Sequence, residues 1–309
     1  MKPDVILKNF WRDNNHFADL FNATLFGGRQ VLKPDDLTEC DTDLSSMLKF
    51  NGHSETLQKV LDVVKKTAYG IDFVIWGLEN QNKVHYAMPL RHMLGDSFSY
   101  LKEYNEVAAR NKMEKNFVSS SEFLSNFKKT DRLHPVISLC VYYGEEEWDG
   151  PFCLKDMLEI PEELETLVSD YKMNLLQLRS SEELSFHNSD VKTVFDISRS
   201  IYNKNFTKII AEYENRTISS ELGVVIGAIT GYQNLINQTW SEEGGQMHMC
   251  KALQELEDHA RQEGMLIGIQ SVIGLCKKFS MDKEEAVKTI VKDFSLQEVE
   301  ATGYVEKYW

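Results

Sequence analysis

The run Phe73-Val74-Ile75-Trp76 restricts the fold more than any other stretch of this chain. Four β-branched or aromatic residues in succession, following a Tyr69-Gly70 turn signal, predict a buried strand. The run ends in Gly77-Leu78-Glu79-Asn80-Gln81-Asn82, which is polar. Glu79 and Gln81 are two positions apart, so on a continuing strand they share a face. A carboxylate and an amide at the end of a core strand are costly to bury without partners, which makes this a candidate site.

The surrounding pattern supplies the rest of a core. Residues 14–26 carry apolar positions at helical spacing and stop at Gly27-Gly28. The stretch from Val60 to Lys66 is ambiguous, because Leu57, Val60, Leu61 and Val64 also fit a helix face. A strand over its last part is favoured, since the Tyr69-Gly70 turn and a second β-rich run follow at once and suggest a hairpin. Pro89 lies near the start of a helix running to about Lys112, and Pro135 to Gly144 reads as another buried strand, broken by Glu145 to Pro151. Helix, strand, strand, helix, strand implies an α/β core. Beyond about residue 190 the pattern is helical. Asp282 with Glu285, and Ser295-Leu296-Gln297-Glu298, resemble capping boxes that open two short final helices packed as a hairpin. The expected division is residues 1–200 as the α/β domain and 201–309 as a helical C-terminal region.

The formal net charge of −14 disfavours a protein coated in phosphate contacts, although a local basic strip or a bound divalent metal can reverse the sign of one face. The best basic region is Arg110 to Lys115 with Lys128, Lys129 and Arg132, for which a solvated helix face is the plainer reading. Five scattered cysteines without a Cys-x-x-Cys pair argue against a disulfide framework or a structural zinc. The eight histidines lack His-x-x-x-His spacing, which also argues against zinc. The start lacks the apolar stretch of a signal peptide, and no segment approaches the roughly 20 apolar residues of a membrane span. A cytoplasmic, reduced protein without a membrane partner is expected.

Metal-dependent phosphodiester hydrolysis needs clustered carboxylates, because Mg²⁺ prefers hard oxygen ligands. Asp62 lies 17 residues before Glu79, enough for a hairpin to bring the two side by side. Asp72 is a poorer partner: seven residues along one strand would separate it from Glu79 by roughly 23 Å, on the opposite face. Lys65 and Lys66 follow Asp62, and Arg91 with Tyr100 follows the site on the next helix, where each can reach phosphate or serve the fold. Spacing alone leaves open that Glu79 and Gln81 merely end a strand near solvent.

The blocks Asp62-Val63-Val64-Lys65-Lys66, Gly77-Leu78-Glu79-Asn80-Gln81 and Val84-His85-Tyr86-Ala87-Met88-Pro89-Leu90-Arg91 resemble the Rpn family of recombination-promoting nucleases and transposases. Its members are YhgA-like proteins of the PD-(D/E)XK nuclease superfamily. Phe17 to Asn22, Tyr142-Tyr143-Gly144, Trp148 to Pro151 and the ending from Phe294 to Trp309 are similar to further blocks. The resemblance implies a restriction-endonuclease-like core, a mixed sheet flanked by helices, and Mg²⁺-dependent DNA cleavage, with Mn²⁺ an alternative ion. It implies metal carboxylates at Asp62 and Glu79, an extra ligand in the carbonyl of Asn80, and Gln81 where a lysine is usual. Gln is neutral and cannot act as a base near pH 7, so Gln81 should orient water or phosphate. Lys65, Lys66 and Arg91 are the expected DNA contacts. Asp19 is the one candidate for the acid that the superfamily often carries on its first helix. The rival expectation is a DNA-binding or homo-oligomeric scaffold that has lost catalysis.

Overall fold

The computed structural model describes residues 2–39, 43–50, 53–60, 63–67, 71–76, 83–213, 216–232, 235–236 and 246–309. The chain divides into two compact units, Met1–Asn205 with Ser219–Gln246, and Phe206–Ile218 with Met247–Trp309. The division is therefore not a single cut near residue 200, because residues 219–246 return to the first unit.

The first unit opens on α1 (Pro3–Arg12) and α2 (Asn14–Leu25). Helix α1 buries Ile6, Leu7, Phe10 and Trp11, a stripe at helical spacing, and the Trp11 indole N–H donates to the Tyr143 hydroxyl at 2.7 Å. Asp13 caps α2 by accepting from the amides of Asn15 and His16 at 2.7 and 3.2 Å. The expected stop at Gly27-Gly28 is present, with φ of +59° and +82°. A Cβ on Gly28 would lie 2.8 Å from that of Ser185, so both backbone conformation and space require glycine there. Asn22, fully buried, accepts from the amides of Val31 and Leu32 and donates to the Leu32 carbonyl, pinning the loop that follows.

A mixed five-stranded sheet lies at the centre of this unit. Strand β1 (Leu37–Glu39) comes first, then a separate antiparallel hairpin of β2 (Asp43–Phe50) and β3 (His53–Val60). Next come β4 (Val63–Thr67) and β5 (Asp72–Trp76), then α3 (Met88–Glu114), the short α4 (Ser120–Ser125), β6 (Val136–Tyr142) and β7 (Leu175–Gln177). The sheet order is β1-β4-β5-β6-β7, antiparallel from β1 through β5 and parallel from β5 through β7. The β4–β5 hairpin and strand β6 agree with the sequence reading, as does the mixed α/β class, whereas the β2–β3 hairpin lies where the sequence suggested a polar connection. Helix α3 supplies the long crossover that a parallel β5–β6 pair requires. Helices α5 (Ser189–Tyr202) and α7 (Ser220–Thr230) also belong to the unit, and the Tyr202 hydroxyl lies within hydrogen-bond distance of the carbonyls of Tyr143 and Ile229, at 2.6 and 2.9 Å.

The second unit holds α6 (Phe206–Tyr213), α8 (Met249–Lys278), α9 (Lys283–Phe294) and α10 (Glu298–Tyr308). Its core joins Ile269, Ile273 and Cys276 to Ala286, Ile290, Ala301 and Val305. Asp282 caps α9 as expected, accepting from the Glu285 amide at 2.8 Å. The last capping box is shifted by two residues: Gln297 is the cap, and the Glu300 carboxylate accepts from its amide at 3.4 Å. Ser295 sits at φ +53° and closes α9, so it cannot also open the next helix. No helix among the described residues is long and apolar enough to cross a membrane.

Candidate functional site

Asp62, Glu79, Asn80 and Gln81 lie outside the described residues. Strands β4, β5 and β6 flank these positions in the chain. Val63 pairs with Ile75 across the antiparallel β4–β5 ladder, and Trp76 lies opposite Cys140 across the parallel β5–β6 ladder. The start of β4, the end of β5 and the end of β6 therefore share one edge of the sheet. After residue 82 the chain is anchored at the same edge. Val84 packs against the cluster of Met88, Cys140, Tyr142 and Trp148, and the Tyr86 hydroxyl donates to Asp149 at 3.0 Å. Gly150 makes room for this contact, since a Cβ there would approach Val84 to 2.8 Å. The carboxyl ends of parallel strands are where open α/β sheets form their binding crevices.

The cations expected on phosphate divide by strand alternation, because neighbours on β4 point to opposite faces. Lys65 is buried, with its ammonium 2.8 Å from the Arg12 carbonyl and 3.8 Å from Glu39. The fold claims this charge, which ties α1 to the β1–β4 edge, whereas the sequence assigned it to DNA. Lys66 is half-exposed and pairs with Asp72 at 3.6 Å. Burial raises the Asp72 carboxyl above its ordinary range, and the neighbouring Lys66 offsets this only in part. Asp72 opens β5 directly opposite Lys66, at the far end of the hairpin from Val63 and Ile75. Arg91 is half-buried in the first turn of α3. Tyr100 is a structural ring whose hydroxyl accepts from the Val136 amide at 3.1 Å.

Asp19 is fixed elsewhere. Its two carboxylate oxygens accept from the amides of His187 and Asn188 at 2.9 and 3.0 Å, just before α5, and the residue is 4% exposed. It thus binds helix α2 to the entry of α5.

Sequence reasoning missed a buried polar network under α3. His92 and Asp96, one helical turn apart, meet Ser138 on β6: the His92 Nδ1 lies 3.2 Å from the hydroxyl, which donates to Asp96 at 3.1 Å. Tyr171 also donates to Asp96. Burial and that bond push the Tyr171 phenol well above its usual pKa. The Asp96 carboxylate accepts from the Ser138 hydroxyl, and His92, Asp96 and Ser138 are all buried. The network fixes α3 on β6. The readable signal was His and Asp four residues apart, with a serine interrupting an apolar strand. At the shared edge, the Tyr142 hydroxyl is buried with no hydrogen-bond partner among the described residues. Burial, then Asp149 and Glu146, raise its pKa.

Among the described residues no group of three His, Cys, Asp or Glu is placed to hold a metal. The described residues form a mixed α/β fold. Residues 107–221 match a family model described as "Putative transposase, YhgA-like". The match bears out the YhgA-like resemblance drawn from the sequence; it covers Tyr142 to Pro151 and begins after the Asp62 and Glu79 blocks. No curated protein and no solved structure matches the chain.

Proposed function

We propose that the chain is a Mg²⁺-dependent DNA endonuclease of the Rpn type, acting in recombination or on mobile elements. The observation that carries this reading is the Val63–Ile75 register. In sequence Asp62 directly precedes Val63 and Glu79 follows Trp76 by three residues, which supports reading both carboxylates as belonging to one hairpin end. The mixed sheet flanked by helices suits the restriction-endonuclease-like core that the resemblance implies, and the transposase family match supports a nucleic-acid-processing role.

The donor set of two carboxylates and the Asn80 carbonyl is all hard oxygen, which fits Mg²⁺ or Mn²⁺. When bound, the ion would polarise the scissile phosphate and lower the pKa of the attacking water. Asp62 and Glu79 would hold it, while Gln81 would orient water or phosphate without taking a proton. Lys66 and Arg91 are the proposed contacts to the DNA backbone, while Lys65 is engaged by the Arg12 carbonyl and Glu39.

Asp62→Ala and Glu79→Ala should abolish Mg²⁺-dependent nicking of supercoiled plasmid. An Asp62→Ala protein that nicks as fast as the parent sinks the assignment. A second reading, a DNA-binding or oligomeric scaffold without catalysis, is favoured by the engagement of Asp19, which leaves no free acid on α2. DNA affinity with no Mg²⁺ or Mn²⁺ binding by calorimetry would favour the scaffold.

A further inference from the structure

We infer that the end of α3 and the adjoining α4 form a docking platform for a single-stranded nucleic-acid segment. Residues 110–132 carry six Lys or Arg against three Asp or Glu, a local excess of +3 in a chain of net −14. Each of the three acids has a partner within the segment. Glu122 accepts from the amides of Val118 and Lys129 at 2.8 and 3.0 Å. Asp131 accepts from the Lys128 amide and from Asn111 at 2.8 and 2.7 Å, and Glu114 pairs with Lys128 at 3.3 Å. Lys112, Lys115 and Lys129 are exposed and have no ion-pair partner among the described residues.

Apolar side chains stand between these charges. Val118 is 91% exposed, Met113 and Leu124 84%, and Phe123 68%. Phe123 meets Phe117 edge-on with ring centres 5.9 Å apart, on the wall of a depression of about 650 Å³ that Lys112 and Lys115 also line. Apolar groups held this far into water mark an interaction surface. The flanking cations commit it to a polyanion by charge complementarity. A single strand offers repeating phosphates together with exposed base faces, and such strands bind where cations track the backbone beside an aromatic ring. A duplex keeps its base faces stacked away from Phe123.

The platform gains its biological sense from the nuclease reading on which it rests, but its binding is measured without metal. The experiment is fluorescence anisotropy of a labelled 20-mer oligothymidylate with the full chain in EDTA, across a salt series. Lys112→Glu with Lys115→Glu should weaken binding at least tenfold and flatten the salt dependence by about 1.4 units of slope. Phe123→Ala, an exposed position that leaves the fold intact, should weaken it about fivefold or more. Unchanged affinity in both variants overturns the proposal, as does a wild-type chain that binds no oligonucleotide. Equal binding of oligoglutamate overturns it in favour of an acidic protein partner, and a preference for the matching duplex overturns the single-strand assignment. Binding is read in EDTA and nicking in Mg²⁺, so a wild-type chain that binds the oligonucleotide without nicking plasmid counts against the nuclease site alone.

Discussion

Replacing Asp19 by Ala separates a structural carboxylate from a catalytic one. The substitution deletes two charge-assisted bonds, to the amides of His187 and Asn188, from a side chain that is 4% exposed. Such bonds contribute about 1.5–3 kcal/mol each, and the low end applies because His187 is exposed and Asn188 half-exposed, so water can replace part of the loss. The expected cost is about 3 kcal/mol, or a drop in Tm of roughly 6–12 °C for a unit of this size. Asp19→Asn keeps one acceptor and should lose about half as much. Urea denaturation followed by tryptophan fluorescence reads the effect, since Trp11 is fully buried on α1. Mg²⁺ affinity and nicking by the folded variant should match the parent. An unchanged midpoint with lost nicking would refute the reasoning and return Asp19 to the metal.

Tyr142→Phe removes a buried hydroxyl that lacks a partner among the described residues, so stability should hold or rise by about 1 kcal/mol; thermal melting that falls by more contradicts this. On α8, Gly264→Ala meets no atom within 4 Å and should stabilise by about 0.5–1 kcal/mol, whereas a Cβ at Gly268 comes 2.8 Å from the Phe294 ring and should cost about 1 kcal/mol net. The reverse order of melting temperatures would overturn that packing. Amides donating to Glu122 and Asp131 hold both carboxyls below their ordinary 4.5 and 3.8. Their contribution is therefore complete above about pH 4.5 and fades as pH falls through the lowered values. Hydrogen-exchange protection of the Val118, Lys128 and Lys129 amides should decline there, and protection that persists below both lowered values contradicts the bonding.

The sequence carried the central strands because Phe73–Trp76 and Val136–Tyr142 are long enough for composition to decide them. It also carried α2, α3 and the α9 cap, where Gly27-Gly28, Pro89 and Asp282 mark ends. Strands β1 and β7 were not readable, because three residues show no period. Leu57 and Val60 belong to β3, although their spacing also fits a helix. Helix α1 went unread, its apolar stripe being short and its burial decided by Tyr143 at 132 residues' distance. At the site, Asp62 and Glu79 lie outside the described residues, and the sequence could not show that Lys65 faces inward to Arg12. Which face of β4 meets α1 is set by tertiary packing and not by the local string.

Plasmid nicking by purified wild-type chain, with Mg²⁺ and with EDTA, beside Glu79→Ala, tests the central claim most directly. The account predicts cleavage by the wild type with Mg²⁺ alone and none by the variant. Equal nicking by both proteins, or nicking that persists in EDTA, would contradict it.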